Sequence, residues 1–445
     1  MKSFLQKRGK DVVIYDINAL INSVSSGFRN AEYLKKKIKK KESYFQNSSS
    51  LKAADKIFNR LGDELIKHIP IKAPEIVGIS INTKKQLFTS LAIIKRLKDE
   101  SGVYTIIGGP YVTLFVEKIF YDFDFIDYAV VGPGEIAMLK VADAFSGKIS
   151  LRDVPGLWFR DNGKIQNNER FDWDIEDQEV SDYTDLDLRL YDSHDHMPIF
   201  PYATSKGCLN SCKFCTYNKI DGKWKKKSIK KIIGDLTDLE MKYSAGKFLF
   251  IDSAIDLSFA HIDSLCDKLI ELKKMYKWVA FVCGSNLNKK ILTKMKQAGC
   301  SSLLWGIESA SEILLKKMGK NINLKHNFNM LEYSNSIGIK NKIFLMINYP
   351  YETIDDLNQT IGFIKRFSAA GNFFLIKTLE IQWDSYIYNN AGQLGINLKN
   401  SSTPNIYEYE EAVVRNSEKD IKTLKKYRRE ILSYDNRSAL IKQRK

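Results

Sequence analysis

The most informative motif of this chain lies in the stretch Ser205-Lys-Gly-Cys-Leu-Asn-Ser-Cys-Lys-Phe-Cys-Thr216. It holds three of the six cysteines, Cys208, Cys212 and Cys215, in the spacing Cys-x3-Cys-x2-Cys. Three thiolates this close together can hold three irons of a cubane cluster and leave the fourth iron without a protein ligand. At such an open iron a substrate or cofactor can bind and receive an electron.

The spacing of this loop, with Gly207 before it and Phe214 directly before the last cysteine, resembles the cluster loop of the radical S-adenosylmethionine (SAM) enzymes. The resemblance implies a 4Fe-4S cluster whose free iron is chelated by SAM. Reductive cleavage of the sulfonium then gives a 5′-deoxyadenosyl radical. It also implies an external electron donor of the flavodoxin or ferredoxin type.

Two other interpretations of the cysteines have to be weighed. A structural zinc site needs four tetrahedral ligands, and His194 or His196 could supply the fourth. A disulfide is disfavoured, because the chain shows no leading apolar signal segment and is unlike small secreted scaffolds. The remaining cysteines, Cys266, Cys283 and Cys300, fall in apolar neighbourhoods, and we expect ordinary buried thiols there, with Cys283 the one to watch.

Length and charge set the broad class of the protein. A chain of 445 residues is too long for one ordinary core and predicts two or three domains. The 69 basic against 53 acidic residues give a net charge of +16, but most lysines lie in short runs such as 35–41, which are typical of a solvated surface. We therefore predict no specific nucleic-acid binding. No apolar run is long enough to span a bilayer, and we expect a cytoplasmic protein.

The first third of the chain alternates strand-like and helix-like patterns. Apolar runs at 76–81, 103–107 and 128–131 are each followed by a helical pattern, and the second and third end in glycine turns. This alternation predicts a doubly wound parallel sheet, whose ligands bind outside the carboxyl ends of its strands.

These glycine turns resemble those of the cobalamin-binding domain that precedes the barrel in one radical SAM subfamily. The matching pieces are Gly78-Ile-Ser80, Gly108-Gly109-Pro110 and Val131-Gly-Pro-Gly-Glu135. The resemblance implies cobalamin contacts, if cobalamin is bound, from Ser80, Gly108, Gly109, Gly132, Gly134 and Glu135. His68 lies outside any cobalt-binding motif, and we expect it on the surface.

One departure from the subfamily concerns the start of this domain. The chain opens with a helix-like stretch followed by a predicted strand, Asp11–Asp16, whereas relatives have a further strand before it. Either that strand lies upstream, or the cofactor pocket is incomplete. A polar stretch at 35–50 predicts an insertion or an exposed helix.

The rest of the chain predicts a partial barrel and a helical tail. Residues 146–198 form a connector with a hairpin turn at Asp161-Asn-Gly163. Residues 199–385 repeat strand and helix patterns, beginning with a strand at Tyr202–Lys206, and six strands fit a partial (β/α)6 TIM-type barrel. Residues 386–445 form a C-terminal extension with an amphipathic helix at Ser417–Tyr434. The predicted fold class is therefore α/β, with a doubly wound domain at 1–145, the partial barrel and the helical tail.

Polar residues after the barrel strands are the candidates for SAM binding, since barrel chemistry lies at the carboxyl ends of the strands. By resemblance to the family these are Asp252, Ser253, Ser285 and Glu308, with Asn286 beside Ser285. Asp252 could instead cap a helix, and Glu308 could pair with a lysine; we expect Lys316–Lys320 at a solvated helix end.

One further turn departs from the family. Asn348-Tyr-Pro-Tyr-Glu-Thr353 stands where the family has Gly-x-Pro-Gly-Glu-Thr, so Asn348 and Tyr351 replace small residues. The adenine pocket or the substrate entrance is therefore expected to differ here.

The resemblance implies radical chemistry, and the leading hypothesis is cobalamin-dependent methylation of an unactivated carbon. The first alternative is a rearrangement, cyclisation or epimerisation with a degenerate cobalamin domain. The second is a non-catalytic zinc- or cluster-binding protein. The residues leave the substrate open among peptides, lipids and small natural products.

Overall fold

A computed structural model of the chain describes residues 1–16, 63, 76–191, 198–396, 398 and 418–435. The described residues divide into two compact units, one over Met1–Tyr191 and one that holds those from residue 198 onward. The predictions for residues 35–50, His68, His194 and His196 lie outside the described residues. In the described part, no helix is long and apolar enough to cross a membrane.

The first unit is built on a five-stranded sheet with the order β1-β2-β3-β4-β5. Three strands are parallel, and their bounds are β1 Ile76–Ser80, β2 Tyr104–Gly108 and β3 Tyr128–Val130. The predicted hairpin follows them as β4 Leu157–Asp161 and β5 Lys164–Asn167, and it pairs antiparallel with β3. Asn162 and Gly163 both have positive φ, at 49° and 75°, as a tight hairpin turn requires.

Helices cover both faces of this sheet. They are α1 Lys2–Gln6, α2 Lys84–Ser101, α3 Pro110–Asp122 and α4 Gly134–Phe145. Alternate strand residues face opposite sides: Ile107 and Ala129 pack with α2 and α3, whereas Ile106 and Val130 pack with α4. The predicted doubly wound arrangement is confirmed.

The predicted strand at Asp11–Asp16 is wrong. These residues are assigned to no strand, and the backbone N–H of Ile14 donates to the carboxylate of Asp185, at 2.8 Å. A side-chain carboxylate, and not a neighbouring strand, satisfies this backbone group.

The second unit is built on an open six-stranded sheet in which every adjacent pair is parallel. Its strands are β6 Phe200–Tyr202, β9 Lys247–Phe250, β10 Lys277–Val282, β11 Cys300–Glu308, β12 Lys340–Ile347 and β13 Phe373–Thr378, and they lie in this order across the sheet. The six strands of the predicted partial barrel are therefore confirmed, without closure of β13 onto β6.

The first of these strands was placed too late in the sequence. The sheet strand is β6, and the chain then leaves the sheet to form a small antiparallel ribbon of β7 Ser205–Lys206 and β8 Lys225–Lys226. The carbonyl of Thr204 accepts the N–H of Lys227, at 2.9 Å, which starts this ribbon.

Helices connect the strands of the second unit. They are α5 Tyr217–Asp221, α6 Ile229–Tyr243, α7 Phe259–Glu271, α8 Lys289–Gln297, α9 Glu312–Lys317, α10 Leu324–Ser336, α11 Ile354–Ser368, α12 Tyr386–Asn389 and α13 Glu418–Ser433. Thr353 and Asp356 form a capping box that starts α11. The C-terminal helix α13 packs against α11, so the tail of the chain is part of this unit.

Candidate functional site

The carboxyl ends of the parallel strands of the second unit meet at one edge of the sheet. The cysteine loop follows β6, Asp252 follows β9, Cys283 follows β10, Glu308 ends β11 and Asn348 follows β12. This edge therefore collects most of the second-unit residues that the sequence singled out.

The cysteine loop packs closely against neighbouring segments of the chain. Gly207 has φ of +72°, and a Cβ there would lie 2.6 Å from the carbonyl carbon and oxygen of Lys223. The Ser253 hydroxyl donates to the carbonyl of Gly207, at 2.8 Å. Further along, the N–H of Lys213 donates to the carbonyl of Met318, at 2.9 Å. Gly207 is therefore required by close packing at the start of the loop.

Two of the three thiols receive backbone hydrogen bonds. Cys208 accepts the N–H of Asn210 and Cys215 accepts the N–H of Tyr217, each at 3.4 Å. Such bonds to sulfur tune the potential of an iron–sulfur cluster. Burial raises the pKa of Cys212 to about 11, and the nearby ammonium of Lys320 opposes that shift.

The donor set fits an iron–sulfur cluster with one open iron. Three soft thiol ligands on one loop are the ligands that such clusters take. Over the described residues, no three His, Cys, Asp or Glu side chains are gathered as a ready metal site. The thiols would therefore have to turn toward one another to hold a cluster.

Asp252 lies beneath the start of the cysteine loop. It is 2% exposed, and its carboxylate accepts the hydroxyls of Thr204 and Ser205, at 2.8 and 2.6 Å. Burial raises the pKa of this carboxyl, while the two hydroxyl donors oppose the shift. The helix after it, α7, is capped by Ser258 and not by Asp252. Asp252 and Ser253 thus both brace the loop.

Glu308 forms an ion pair with Lys320, whose ammonium lies 2.9 Å from its carboxylate. The two side chains are 15% and 9% exposed. A Cβ on Gly306 would lie 2.9 Å from the Lys320 ammonium, so glycine leaves the room that the pair occupies. Glu308 has a left-handed φ of 64° at an irregularity in the pairing of β11 with β12.

Lys320 was missed by the sequence analysis, which placed it at a solvated helix end. The structure instead buries it beside Glu308. Burial acts to lower the pKa of Lys320, but the carboxylate of Glu308, with smaller contributions from Cys212 and Cys283, raises it above its ordinary value. The available signal was Gly319, which has φ of +69° and turns the chain back from α9 against the cysteine loop. The ion pair with Lys320 is the contact that the alternative prediction for Glu308, pairing with a lysine, expected.

A second buried carboxylate, Asp256, was also missed. It is 0% exposed and accepts the backbone N–H groups of Cys283 and Gly284, at 2.9 and 2.8 Å. Asn286 donates to the carbonyl of Asp256, at 2.7 Å, and Ser285 is exposed beside it. Asp256 therefore fixes the turn that presents Ser285 at the carboxyl end of β10.

The three remaining cysteines are buried, as predicted. Cys266 and Cys300 lie in the core. Cys283 belongs to a small apolar group with Ala254 and Leu257, against which Cys208 and Trp224 pack. Burial and the carboxylate of Asp256 raise the pKa of Cys283 to about 12.

The turn after β12 keeps a glycine-like backbone without glycine. Asn348 and Tyr351 have φ of 65° and 64°, at the two positions where the family has glycine. Tyr351 donates to the carbonyl of Leu394, at 2.8 Å, and Tyr349 donates to the carbonyl of Lys317, at 3.2 Å. The side chains that replace glycine are thus tied into the surrounding structure.

In the first unit, the candidate cobalamin residues lie at the carboxyl ends of β1, β2 and β3. Ser80 is exposed and Glu135 lies 4.0 Å from the N-terminal ammonium. The space beside three of the glycines is filled by the chain itself: a Cβ would meet Ile81 at Gly109, Arg170 at Gly132 and Met1 at Gly134. Arg170 and Met1 are long side chains that can move, so room for a corrin here depends on their displacement.

Comparison with known families agrees with this arrangement. Residues 202–364 match the family model of the radical SAM superfamily. The match begins at the last residue of β6 and runs into α11.

Two curated relatives are methyltransferases by name. The chain is 27% identical to an uncharacterized methyltransferase of Pyrococcus horikoshii, over 68% of this chain and 67% of that protein. It is 23% identical to cytidylyl-2-hydroxyethylphosphonate methyltransferase of Streptomyces wedmorensis, over 70% of this chain and 66% of that protein. The chain thus spans about two thirds of the length of these relatives.

Two solved structures share the fold. One is the radical SAM methyltransferase TsrM of Kitasatospora setae with cobalamin and a 4Fe-4S cluster bound, at a TM-score of 0.67 and 14% identity, covering 82% of each chain. The other is the cobalamin-dependent SAM radical enzyme OxsB with aqua-cobalamin and SAM bound, at a TM-score of 0.58 and 19% identity, covering 75% of this chain and 49% of that one.

Proposed function

We propose that the chain is a radical SAM enzyme that cleaves SAM reductively at a 4Fe-4S cluster held by Cys208, Cys212 and Cys215, because residues 202–364 match the family model of the radical SAM superfamily. When bound, the cluster supplies the electron that breaks a carbon–sulfur bond of the sulfonium, giving methionine and a 5′-deoxyadenosyl radical. The observation that carries the proposal is the placement of the cysteine loop on the same sheet edge as Glu308 and Lys320. An external flavodoxin or ferredoxin would supply this electron to the cluster.

Glu308 and Lys320 are suited to bind two different groups of SAM, the ribose and the methionyl carboxylate. A carboxylate can accept two hydrogen bonds at once, which suits the ribose diol. The buried ammonium of Lys320 suits the methionyl carboxylate, and it lies near Cys212. In this proposal SAM binding converts the ion pair seen between these residues into contacts with the cofactor.

The other candidates support SAM in two ways. Asp252 and Ser253 act through the cysteine loop, since both hydrogen-bond to its first residues or to those just before it. Ser285 is exposed at the carboxyl end of β10 and can contact the methionyl part of SAM directly. The first two are therefore positioning residues, whereas Ser285 is a binding residue.

The finer proposal is that the first unit binds cobalamin and that methylcobalamin supplies a methyl group to a carbon from which the radical has removed hydrogen. The names of the relatives and the cobalamin in the two similar structures support it. Ser80, Gly108 and Gly109 would hold the cofactor from β1 and β2. The loop Gly132–Glu135 would hold it from β3.

The test of the cluster is anaerobic reconstitution with iron and sulfide, followed by incubation with SAM and dithionite. The wild-type chain should turn brown and release 5′-deoxyadenosine and methionine. The variant Cys212→Ala should release neither product, whereas Cys266→Ala, whose side chain lies in the core, should still release both. A colourless wild-type chain with one bound zinc would reject the proposal.

The test of cobalamin is a binding titration followed by absorbance. The wild-type chain should bind cobalamin, and Arg170→Ala should bind it more tightly because this side chain fills the space beside Gly132. Absence of binding in both proteins would reject the cobalamin step while leaving SAM cleavage intact.

A second candidate follows from the same observation. The side chains of Arg170 and Met1 occupy the space beside Gly132 and Gly134. If these side chains stay in place, the protein would carry out radical chemistry without cobalamin. The reaction would then be a rearrangement, a cyclisation or an epimerisation. The cobalamin titration separates the two candidates.

A further inference from the structure

A nearly buried ion pair joins the C-terminal helix α13 to the turn after β12. The guanidinium of Arg428 lies 2.9 Å from the carboxylate of Glu352, and the two side chains are 13% and 2% exposed. The partners are far apart in the sequence, so the pair forms only in the folded unit. Neither residue belongs to the SAM contacts proposed above.

The carboxylate of Glu352 also closes the turn that carries Asn348. The same oxygen that meets Arg428 accepts the backbone N–H of Asn348, at 3.0 Å. The N–H of Glu352 in turn donates to the carbonyl of Tyr349, at 3.0 Å. Asn348 is thereby held at a φ of +65°, a left-handed conformation that asparagine tolerates better than most residues with a side chain.

The side chain of Asn348 has an unused acceptor. Its Oδ1 is buried and has no hydrogen-bond partner within the described residues. Buried polar atoms without a partner are uncommon and point to a missing ligand or water. Asn348 follows β12 directly, at the edge where the cysteine loop and Glu308 lie.

Helix α13 has anchors other than Arg428. Leu424 and Ile431 are 5% and 0% exposed and anchor the helix. Glu430 pairs with Lys365 at 3.2 Å on the surface. A buried ion pair often adds little stability over apolar residues of similar size, because both charges lose water. The pair of Arg428 with Glu352 therefore needs a reason other than attachment of the helix.

We propose that Arg428 is a positioning residue for the SAM site: it holds Glu352, which fixes the turn so that the free Oδ1 of Asn348 accepts a hydrogen bond from an N–H or O–H group of the SAM nucleoside. This inference rests on the proposed SAM cleavage. Through Arg428, the C-terminal helix α13 then contributes to the SAM site. No bond is formed or broken by these residues.

The experiment compares Arg428→Met with Arg429→Met in the reconstituted full chain. Arg429 is exposed on the same helix, so its variant carries the same charge change without the contact. We expect Arg428→Met to weaken SAM binding about tenfold, the equivalent of one lost hydrogen bond, and to raise KM for SAM with little change in kcat at saturation. Arg429→Met should match the wild type, and iron content should be equal in all three.

Asn348→Gly tests the end of the chain of contacts. Glycine keeps the left-handed backbone and removes the carboxamide that carries the acceptor, so the variant should lose SAM affinity to the same degree. The double variant Arg428→Met/Asn348→Gly should be no weaker than either single variant, since both remove one interaction. Fully additive losses would overturn the proposed link.

Arg428→Met can also fail by destabilising the fold. The double variant Glu352→Gln/Arg428→Met answers this, because the amide carbonyl of glutamine can still accept the N–H of Asn348 without a buried charge. Recovery of SAM affinity to near that of the wild type supports positioning, and an affinity as weak as that of Arg428→Met alone overturns it. A wild-type chain that binds SAM normally beside an equally tight Arg428→Met overturns only this inference, whereas a wild-type chain that binds no SAM overturns the proposed function and the inference together.

Discussion

The ammonium of Lys320 lies 2.9 Å from the carboxylate of Glu308, and both side chains are largely withdrawn from water. The pair stands at the carboxyl end of β11, with Cys212 near the ammonium. It joins the strand that carries Glu308 to the segment that follows α9.

Lys320→Met should destabilise the second unit and weaken SAM binding, because it leaves the Glu308 carboxylate mostly buried without its partner. Breaking a buried pair in this way costs about 3–5 kcal/mol, and the partial exposure of Glu308 places the expected loss at the lower end. Urea unfolding and SAM equilibrium dialysis measure the two effects. Lys316→Met, on the exposed side of α9, should change neither, and an equal effect from both lysines would contradict the assignment.

Gly207→Ala should prevent the cysteine loop from holding a cluster. The residue has a left-handed φ, and the new methyl group would lie 2.6 Å from backbone atoms of Lys223, so the loop must shift. We expect a stability loss of about 2 kcal/mol or more from the strained backbone and the contact, and iron and sulfide per chain should fall sharply. Gly234→Ala is the control, since no atom lies within 4 Å of its added methyl group. Normal iron content in Gly207→Ala would refute the packing argument.

Replacement of Tyr351 should reveal its backbone strain. Both Tyr351→Ala and Tyr351→Gly remove the ring and its bond to Leu394, but only glycine adopts a φ of 64° without strain. The glycine variant should therefore be more stable by about 1 kcal/mol. At Met241, an exposed position in α6, the order should reverse, with alanine more stable by about 1 kcal/mol. Chemical unfolding of the four variants checks both signs.

His261 should make the stability of the second unit depend on pH. It is 4% exposed, and burial lowers its pKa to about 4 from an ordinary 6.5. Between these pH values the unfolded chain binds a proton that the folded chain does not. The stabilising contribution is therefore present above pH 6.5 and is lost as the pH falls toward 4, by up to about 3 kcal/mol.

The measurement is the free energy of unfolding across that pH range for the wild type and for His261→Gln. The glutamine variant should lose this component of the pH dependence, whereas His326→Gln should keep it. Parallel curves for the wild type and His261→Gln would show that His261 does not titrate as inferred.

Local features of the sequence determined the cysteine loop, most of the strands and the start of α11. Cys208, Cys212 and Cys215 are grouped by covalent spacing alone, and the strands of both sheets follow from apolar periodicity, which depends on near neighbours. Thr353 and Asp356 cap α11 through contacts three residues apart. The strand expected at Asp11–Asp16 is not formed for the complementary reason: an apolar run becomes a strand only beside a partner strand, and none of the strands in the described residues pairs with it.

The distant side chains that complete the candidate site are brought together by tertiary packing. It placed Lys320 against Glu308, put Asp252 beneath the cysteine loop and brought Arg428 from the C-terminal helix to Glu352. None of these pairings leaves a periodic or spaced signal, because each depends on how separate elements pack around the sheet. Burial then sets their electrostatics, since a charge removed from water needs a partner that packing must supply.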